Sequence, residues 1–170
     1  SFETNPLWNL TPKLADGSYL KSSDMIVDAG GAGSNRTGTA ANELIYGGSG
    51  NNTIGGGGGI DILFGGGGDD LVQGGDGGDY LYGNGGQGAD QFVWEYQGGR
   101  DVITDFTPGQ GDNILLNDTN LYGINTFAQL QARMSQDAAG VTIALDANNS
   151  ILLQNTTIAQ LAAQHFIFSN

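Results

Sequence analysis

Six side chains with oxygen ligands recur at a spacing of nine residues through the middle of the chain. They are Glu43, Asn52, Asp61, Asp70, Asp79 and, after a two-residue insertion, Asp90. Carboxylate and amide oxygens are the ligands that hard divalent cations such as calcium prefer. No lysine, arginine or histidine lies between Arg36 and Arg100 to neutralise these carboxylates. The spacing and the missing counter-charges predict either a disordered acidic segment or a series of cation sites.

These residues belong to a repeated nonapeptide of the form G-G-x-G-x-D-x-U-x, in which U is a large apolar residue. The copies read GTAANELIY (38–46), GGSGNNTIG (47–55), GGGGIDILF (56–64), GGGGDDLVQ (65–73), GGDGGDYLY (74–82) and GGQGADQFV (85–93), and their eighth positions hold Ile45, Ile54, Leu63, Val72, Leu81 and Phe92. Five copies are contiguous and in register, which a flexible linker does not require. A GxGxxG nucleotide loop also matches here, but it needs a strand–turn–helix context that a nine-residue repeat cannot supply.

The repeat predicts very short strands joined by glycine turns. The last three residues, x-U-x, suffice for one short strand, whose alternation points U to one side and its neighbours to the other. The first six residues must turn the chain through backbone conformations that are open mainly to glycine. Two nonapeptides then make one coil of about 18 residues, and the coils stack as two parallel sheets with U between them. We therefore predict an all-β parallel β-roll over 38–93, followed by a small mixed α/β cap.

Stacking should bring each sixth-position residue next to its counterpart in the following coil. The pairs on one side are then Glu43 with Asp61 and Asp61 with Asp79, and those on the other side are Asn52 with Asp70 and Asp70 with Asp90. Calcium accepts about six to eight oxygen ligands, carboxylates and backbone carbonyls together, whereas magnesium demands stricter octahedral geometry. We expect several calcium ions between the coils, bound most weakly at the first coil, where Glu43 is longer than Asp and Asn52 is uncharged. The insertion is expected to distort the site at Asp90.

The composition narrows the range of functions. The chain of 170 residues carries 18 acids against five lysines and arginines, a formal charge of −13, which argues against nucleic acid and anionic surfaces as partners. Because there is no cysteine, disulfides, thiolate zinc sites and a cysteine nucleophile are excluded. No apolar run is long enough to span a bilayer, and the first ten residues lack the basic-then-apolar pattern of a secretory signal.

The patterns divide the chain into three regions: a flanking segment with decayed repeats (1–37), the repeat block (38–93) and a C-terminal cap (94–170). GGRDVITDF (98–106) keeps a trace of the repeat, with Asp101 where the sixth-position acid would fall. TFAQLQARMSQ (126–136) predicts a helix capped by Asn125 or Thr126, VTIALD and ILLQ predict strands, and TIAQLAAQ predicts a short helix. His165, the only histidine, is expected to pack in the core or lie at the surface rather than to act in catalysis.

A further pattern lies at the seventh and ninth positions, which point away from the core and should be polar. In alternate repeats they form two apolar columns, Leu44, Ile62 and Tyr80 beside Tyr46, Phe64 and Tyr82. A sheet face this apolar is unusual at the surface of a soluble monomer. We expect either that residues 1–20, with Trp8, cover it, or that a partner, a ligand or a sister domain binds there.

The nonapeptides, with GADQFVW, RDVITDFTPGQGDNILL and TIAQLAAQHFIF, resemble the C-terminal region of RTX proteins exported by type I secretion. Similar endings occur in serralysin-type proteases, RTX lipases, mannuronan epimerase R-modules and very large bacterial adhesins. The resemblance implies a parallel β-roll with calcium between its turns, unfolded at low cytosolic calcium and folding outside the cell. The ligands that it implies are the sixth-position residues, Asp101 and the loop carbonyls at the second and fourth positions, namely Gly48, Gly50, Gly57, Gly59, Gly66, Gly68, Gly75, Gly77, Gly86 and Gly88.

The sequence thus favours a non-catalytic, calcium-binding folding and secretion module at the end of a larger exported bacterial protein, either an adhesin or an enzyme. Its expected partners are calcium, the type I secretion machinery and the parent polypeptide, and we expect a monomer that is secreted or lies at the cell surface. The alternative is a carbohydrate-binding module, similar to an epimerase R-module, that uses the apolar columns. An enzyme is disfavoured, because the chain has no HExxH or GxSxG motif and no Cys–His pair.

Overall fold

The computed structural model describes residues 35–83 and 88–169, together with Gly33 and the backbone of Met25–Val27. Strands hold 48% of the residues and helices 14%, which confirms the prediction of an all-β-dominated fold. The strands are β1 (Met25–Val27), β2 (Asn35–Thr37), β3 (Leu44–Ser49), β4 (Thr53–Gly59), β5 (Ile62–Gly67), β6 (Leu71–Gly77), β7 (Tyr80–Tyr82), β8 (Gln91–Trp94), β9 (Arg100–Ile103), β10 (Asn113–Asn117), β11 (Met134–Gln136), β12 (Gly140–Ala144), β13 (Ser150–Gln154) and β14 (Phe166–Ser169).

Successive strands alternate between two sheets. One sheet has the order β1-β3-β5-β7-β9-β13-β12-β11 and the other has the order β14-β10-β8-β6-β4-β2. All pairs from β1 to β10 are parallel, as are β9 with β13 and β10 with β14, whereas β11, β12 and β13 pair antiparallel. The chain is therefore a parallel β-solenoid of about four turns, an architecture compatible with the predicted β-roll.

The apolar eighth positions meet between the two sheets, as the repeat predicts. In one sheet Ile45 pairs with Leu63, which pairs with Leu81, and in the other Ile54 pairs with Val72. The two-residue insertion does not disturb this register, because Phe92 lies directly beside Val72. The same columns continue to Ile103 and Ile114, and all eight side chains are at most 2% exposed. A core one residue deep per strand thus runs along the solenoid.

The strands β3 to β6 are longer than the predicted three residues. They continue into the glycine turns because the glycine backbones of successive coils also pair, as Gly48 with Gly66 and Gly57 with Gly75. Gly66 has a φ of +116°, and a Cβ there would overlap the carbonyl oxygen of Gly48. Only glycine allows both this left-handed backbone and this close approach of two main chains. The glycines therefore form stacked ladders of their own beside the three-residue strands.

The cap contains less helix than its sequence predicts. Helix α1 covers only Phe127–Gln131, begins at the predicted N-cap Thr126, and is followed by β11, which replaces the second half of the predicted helix. The segment TIAQLAAQ forms no continuous helix but two 3-10 turns, Ile158–Gln160 and Ala163–His165. In the first turn, the side chain of Gln160 accepts hydrogen bonds from the amide and the hydroxyl of Thr157. The backbone is extended at Leu161 and Ala162, which separates the two turns. Two further 3-10 turns cover Pro108–Gln110 and Thr119–Tyr122.

His165 packs in the core, where its Nδ1 accepts a hydrogen bond from the Ala162 amide at 3.1 Å and its ring meets the edge of Phe106. The predicted cover by residues 1–20, most of the 1–37 segment and Gly86 lie outside the described residues. No helix in the described part of the chain is long and apolar enough to cross a membrane. Both sheets continue past residue 93, and the division of the chain there stays a prediction.

Candidate cation sites between the coils

The sixth-position residues stack in two columns, one at each side of the solenoid. The odd column consists of Glu43, Asp61, Asp79 and Asp101, and the even column consists of Asn52, Asp70, Asp90 and Asp112. Within each column, the Oδ1 atom of every Asp accepts a hydrogen bond of 2.7–3.0 Å from the backbone N–H of the preceding member. All eight side chains are buried, with at most 5% exposure. The carboxylates of both columns, a group that normally remains in water, are thus buried away from solvent.

The second oxygen of three of these carboxylates has no partner. The Oδ2 atoms of Asp61, Asp70 and Asp79 are fully buried and accept no hydrogen bond. A buried polar atom without a hydrogen-bond partner costs roughly 1–3 kcal/mol, and a buried charged atom costs more. Such a group calls for a specific explanation, such as a bound ion.

The orphaned oxygens point at the first glycine of their own repeat. A Cβ at Gly56 would overlap both Asp61 Oδ2 and the carbonyl oxygen of Gly74, which belongs to the next coil. Two acceptor oxygens therefore come together over the Gly56 Cα. Because two acceptors repel each other unless a cation or a donor lies near them, this arrangement has the chemistry of a cation ligand set. The sequence did not predict the first-position carbonyl as a candidate ligand.

Three of the four column ends, in contrast, form hydrogen bonds with groups of the chain itself. Glu43, one methylene longer than Asp, turns back onto its own loop and accepts hydrogen bonds from the Thr39 hydroxyl and, at 3.1 Å, from the Thr39 amide. Asn52 donates from Nδ2 to the carbonyl of Gly50 at 2.5 Å. At the other end, Asp112 Oδ2 accepts from the Thr107 amide at 2.7 Å. The unpartnered oxygens thus lie in the middle of the columns, and weak calcium binding at the first coil stays a prediction.

Burial dominates the electrostatics of the columns. It raises the pKa of Asp61, Asp79 and Asp90 from the ordinary 3.8 to about 7, and neighbouring carboxylates raise the pKa of each further, while the amide hydrogen bonds lower it. Burial likewise raises the pKa of Asp70 and Asp112 and raises that of Asp101 well above its ordinary value. Ionising these groups at neutral pH without a cation therefore works against the folded state.

A pH dependence of the calcium-free chain follows from these pKa values. Because the folded-state pKa is raised, the contribution of each group to stability is fully present below its unfolded pKa, near 4, and is lost as the pH rises through about 7. The slope reaches about 1.4 kcal/mol per pH unit for each such group. In chelator, we expect β-sheet circular dichroism to increase as the pH falls from 8 to 5. A signal that is flat over this range would contradict the burial of ionised carboxylates.

The glycines predicted as carbonyl ligands all have a positive φ wherever they are described. They are Gly48, Gly50, Gly57, Gly59, Gly66, Gly68, Gly75, Gly77 and Gly88. Their carbonyls stack along the turns, as that of Gly59 against the Cα of Gly77. Among the described residues, no three acidic, histidine or cysteine side chains form a metal cluster. A cation between the coils would therefore complete its shell with backbone carbonyls, as calcium readily does.

Sequence reasoning missed Asp112 as a member of the even column. It lies 22 residues after Asp90, because the loop through Pro108 lengthens that coil, and GDNILL carries no flanking glycine pair. The signal that could have found it is Asp-x-apolar followed by further apolar residues, the same order as in QGADQFV. Asp101, predicted from its repeat trace, lies in the odd column and accepts from the Asp79 amide at 3.0 Å.

The six apolar side chains at the seventh and ninth positions form a cluster separate from the core. Ile62 is 5% exposed and packs against the partly buried Leu44, Phe64, Tyr80 and Tyr82. The ring centroids of Tyr46 and Phe64 are 6.0 Å apart, and those of Phe64 and Tyr82 are stacked at 4.4 Å. Tyr46 is 42% exposed. We call this cluster, Leu44, Tyr46, Ile62, Phe64, Tyr80 and Tyr82, the aromatic face.

Comparison with known proteins adds no relative to these observations. No known protein family matches the chain, and a search of curated proteins found no significant similarity.

Proposed function

We propose that the protein is a calcium-binding module of the RTX type, in which ions between the coils complete the folded state. The observation that carries the proposal is the set of buried, unpartnered Oδ2 atoms of Asp61, Asp70 and Asp79. These oxygens are negatively charged when ionised and accept no hydrogen bond from the described residues. A cation bound there would offset both the buried charge and the missing hydrogen bond.

The ligand set favours calcium over other cations. Each gap offers carboxylate oxygen and main-chain carbonyl oxygen but no nitrogen or sulfur ligand, which is the set of hard cations. Calcium tolerates many ligands in irregular geometry, and the stacked glycine turns supply many carbonyls. Magnesium is smaller, requires near-octahedral geometry and retains its waters, so it should substitute poorly in a dry gap.

The residues that would hold the ions lie in the middle of the columns. On the odd side these are Asp61 and Asp79 with the Gly74 carbonyl, and on the even side they are Asp70 and Asp90. Glu43 is already bound to Thr39, so the first coil would contribute least. This distribution is supported by which oxygens are free and which have a partner within the chain.

The biological role that we propose is that of a folding and secretion region. Dependence of folding on calcium would keep the chain unfolded where calcium is scarce and would fold it after export, as the resemblance to RTX proteins implies. The protein would then be a non-catalytic part of a larger exported bacterial polypeptide, secreted or at the cell surface, with the type I secretion machinery as its partner.

Direct measurement of ion binding tests the proposal. Isothermal titration of the chelator-treated chain with calcium should give saturable binding with a Kd on the order of 0.1–1 mM, the range of extracellular calcium modules. Magnesium at the same concentrations should give little heat. The matched control is the variant Asp76→Asn, which changes an exposed acid in the glycine turn that precedes Asp79. It should bind calcium like the parent. Absence of calcium binding at 10 mM would overturn the proposal.

A further inference from the structure

The outer faces of the two sheets differ in chemistry. One bears the aromatic face, whose members lie side by side on β3, β5 and β7. At the same positions the other sheet bears mainly polar or small residues, with an exposed Thr53, a glycine at 55 and a half-buried Gln73. There Gln91 donates to the side chain of Asn113 at 2.7 Å, a pairing suited to contact with water. Of these two outer surfaces, only the aromatic face would place a large apolar area in contact with water.

The aromatic face is built as a packed surface. Its rings stack along the sheet, and Ile62 has lost 95% of its exposure although it points away from the core. The remaining members keep part of their apolar surface accessible, and Tyr46 keeps most. Soluble proteins seldom leave a contiguous apolar surface of this kind uncovered. The odd and even columns of carboxylates include none of its residues.

The chain itself supplies an occupant at the right place. Strand β1 is the edge strand of this sheet, and it pairs with β3 so that residues 25 and 27 lie beside Leu44 and Tyr46. The chain therefore enters this sheet at Met25, beside the head of the aromatic columns, and residues 1–24 precede that point in the sequence. Strands lie about 4.8 Å apart, and an extended residue spans about 3.3 Å. Fewer than ten residues thus reach from β1 across to β7, and 24 residues exceed this distance several times over.

The composition of this segment fits the role. It contains Phe2, Leu7, Trp8, Leu10, Leu14, Tyr19 and Leu20. It also holds both lysines of the chain against Glu3, Asp16 and Asp24, a formal charge of −1, whereas residues 25–170 carry fifteen acids against three arginines, a formal charge of −12. An apolar segment that is close to neutral can therefore cover an apolar face on an acidic body with little added charge repulsion.

We propose that residues 1–24 lie across the aromatic face and cover it. The aromatic face is then an intramolecular docking surface that ties the N-terminal segment to the solenoid, rather than a carbohydrate site or a dimer interface. This inference concerns the outer surface of the sheet and does not depend on whether the columns bind calcium.

Photo-cross-linking in the full-length chain tests this directly. Phe64 and, in a second variant, Tyr82 are replaced by the photoreactive p-benzoylphenylalanine, which keeps their phenyl ring and extends it by a benzoyl group. After irradiation and proteolysis, most of the cross-linked product should join the probe to a peptide from residues 1–24 of the same molecule. The matched control places the probe at Gln73, the ninth position of the other sheet, where no such product is expected. Circular dichroism confirms that each variant has the parent fold.

The alternative outcomes are distinct. A cross-linked dimer would show that a second copy occupies the face, and cross-links within residues 35–169 or none at all would show that the segment lies elsewhere. Equal yields from positions 64 and 73 would show contact without specificity. Each of these results overturns the proposal, whereas a failure of calcium binding would leave its outcome unchanged.

Discussion

Removal of calcium at pH 8 is expected to unfold the solenoid, and its return is expected to refold it. In chelator the far-ultraviolet circular dichroism should resemble that of a disordered chain. Addition of millimolar calcium should restore the spectrum of a strand-rich protein in a cooperative transition. The expected change is large, because both sheets share one continuous core, so the cap has no separate core among the described residues to hold it folded.

The reason lies in the composition of the turns and in the buried charge. Of the chain's 31 glycines, most lie in the repeat block, and glycine loses more backbone freedom on folding than any other residue. Each nonapeptide buries one apolar side chain, which stabilises the fold by roughly 1.5–3 kcal/mol. Ordering the backbone costs about 1–2 kcal/mol for each of its nine residues. Ionised carboxylates in the columns oppose folding further. Ions that neutralise them are therefore expected to decide whether the chain folds.

Two controls separate specific binding from general screening. Magnesium at equal concentration and sodium chloride at equal ionic strength should each restore little of the strand signal, because screening acts weakly on buried charges. If the spectrum in chelator at pH 8 equals that in calcium, the columns are stable without ions and their unpartnered oxygens need another explanation.

The nine-residue period was sufficient to predict the solenoid and its core. Each repeat specifies its own turn and its own inward residue, so Leu63 and Val72 could be placed between the sheets without knowledge of distant contacts. The pairing of Asp61 with Asp79 followed from the same arithmetic, since stacked coils bring equivalent positions together. Repetition thus makes a long-range contact readable from local sequence.

The sequence could not reveal how the carboxylates are shared. That Asp61 Oδ1 binds the Glu43 amide while Oδ2 faces Gly74 depends on the stagger of neighbouring coils. The closure of Glu43 onto Thr39 depends on one extra methylene in a particular loop. Asp112 was missed because its coil is lengthened by the loop through Pro108. Each of these facts depends on geometry between coils rather than on the period.

The cap departs from its sequence pattern where tertiary contacts outweigh local propensity. Residues 134–136 follow a helical pattern but pair with β12 as strand β11, which extends the sheet. The C-terminal apolar segment becomes β14 because it completes the edge beside β10. Intrinsic helix preferences of a few tenths of a kcal/mol per residue are easily outweighed by such pairing.

Replacement of Asp61 by asparagine is expected to change stability in opposite directions with and without calcium. In chelator the variant should fold more readily than the parent, because the neutral amide removes a buried charge. Its Oδ1 can still accept from the Glu43 amide, and its Nδ2 can donate toward the Gly74 carbonyl in place of the unpartnered oxygen. In calcium the variant should be less stable than the parent, because a charged ligand is lost.

The size of the effect in chelator follows from the pKa of Asp61, which burial raises from 3.8 to about 7. At about 1.4 kcal/mol per pKa unit such a shift corresponds to at most about 4.5 kcal/mol at pH 8, and screening by nearby solvent lowers the expected effect to roughly 2–4 kcal/mol. The concentration of trimethylamine N-oxide that folds the calcium-free chain should fall accordingly, since this osmolyte favours burial. In calcium, a tenfold loss of affinity costs about 1.4 kcal/mol, measurable as a lower urea midpoint.

Asp76→Asn is again the matched control, since it makes the same chemical change at an exposed acid in the neighbouring turn. It should shift stability by less than about 0.5 kcal/mol in either condition. Destabilisation of Asp61→Asn in both conditions would mean that the carboxylate is held by protein contacts alone. Stabilisation in both would mean that no ion uses it. Only a reversal of sign between chelator and calcium assigns the buried oxygen of Asp61 to a cation, because a carboxylate held by protein contacts alone would change stability in the same direction in both conditions.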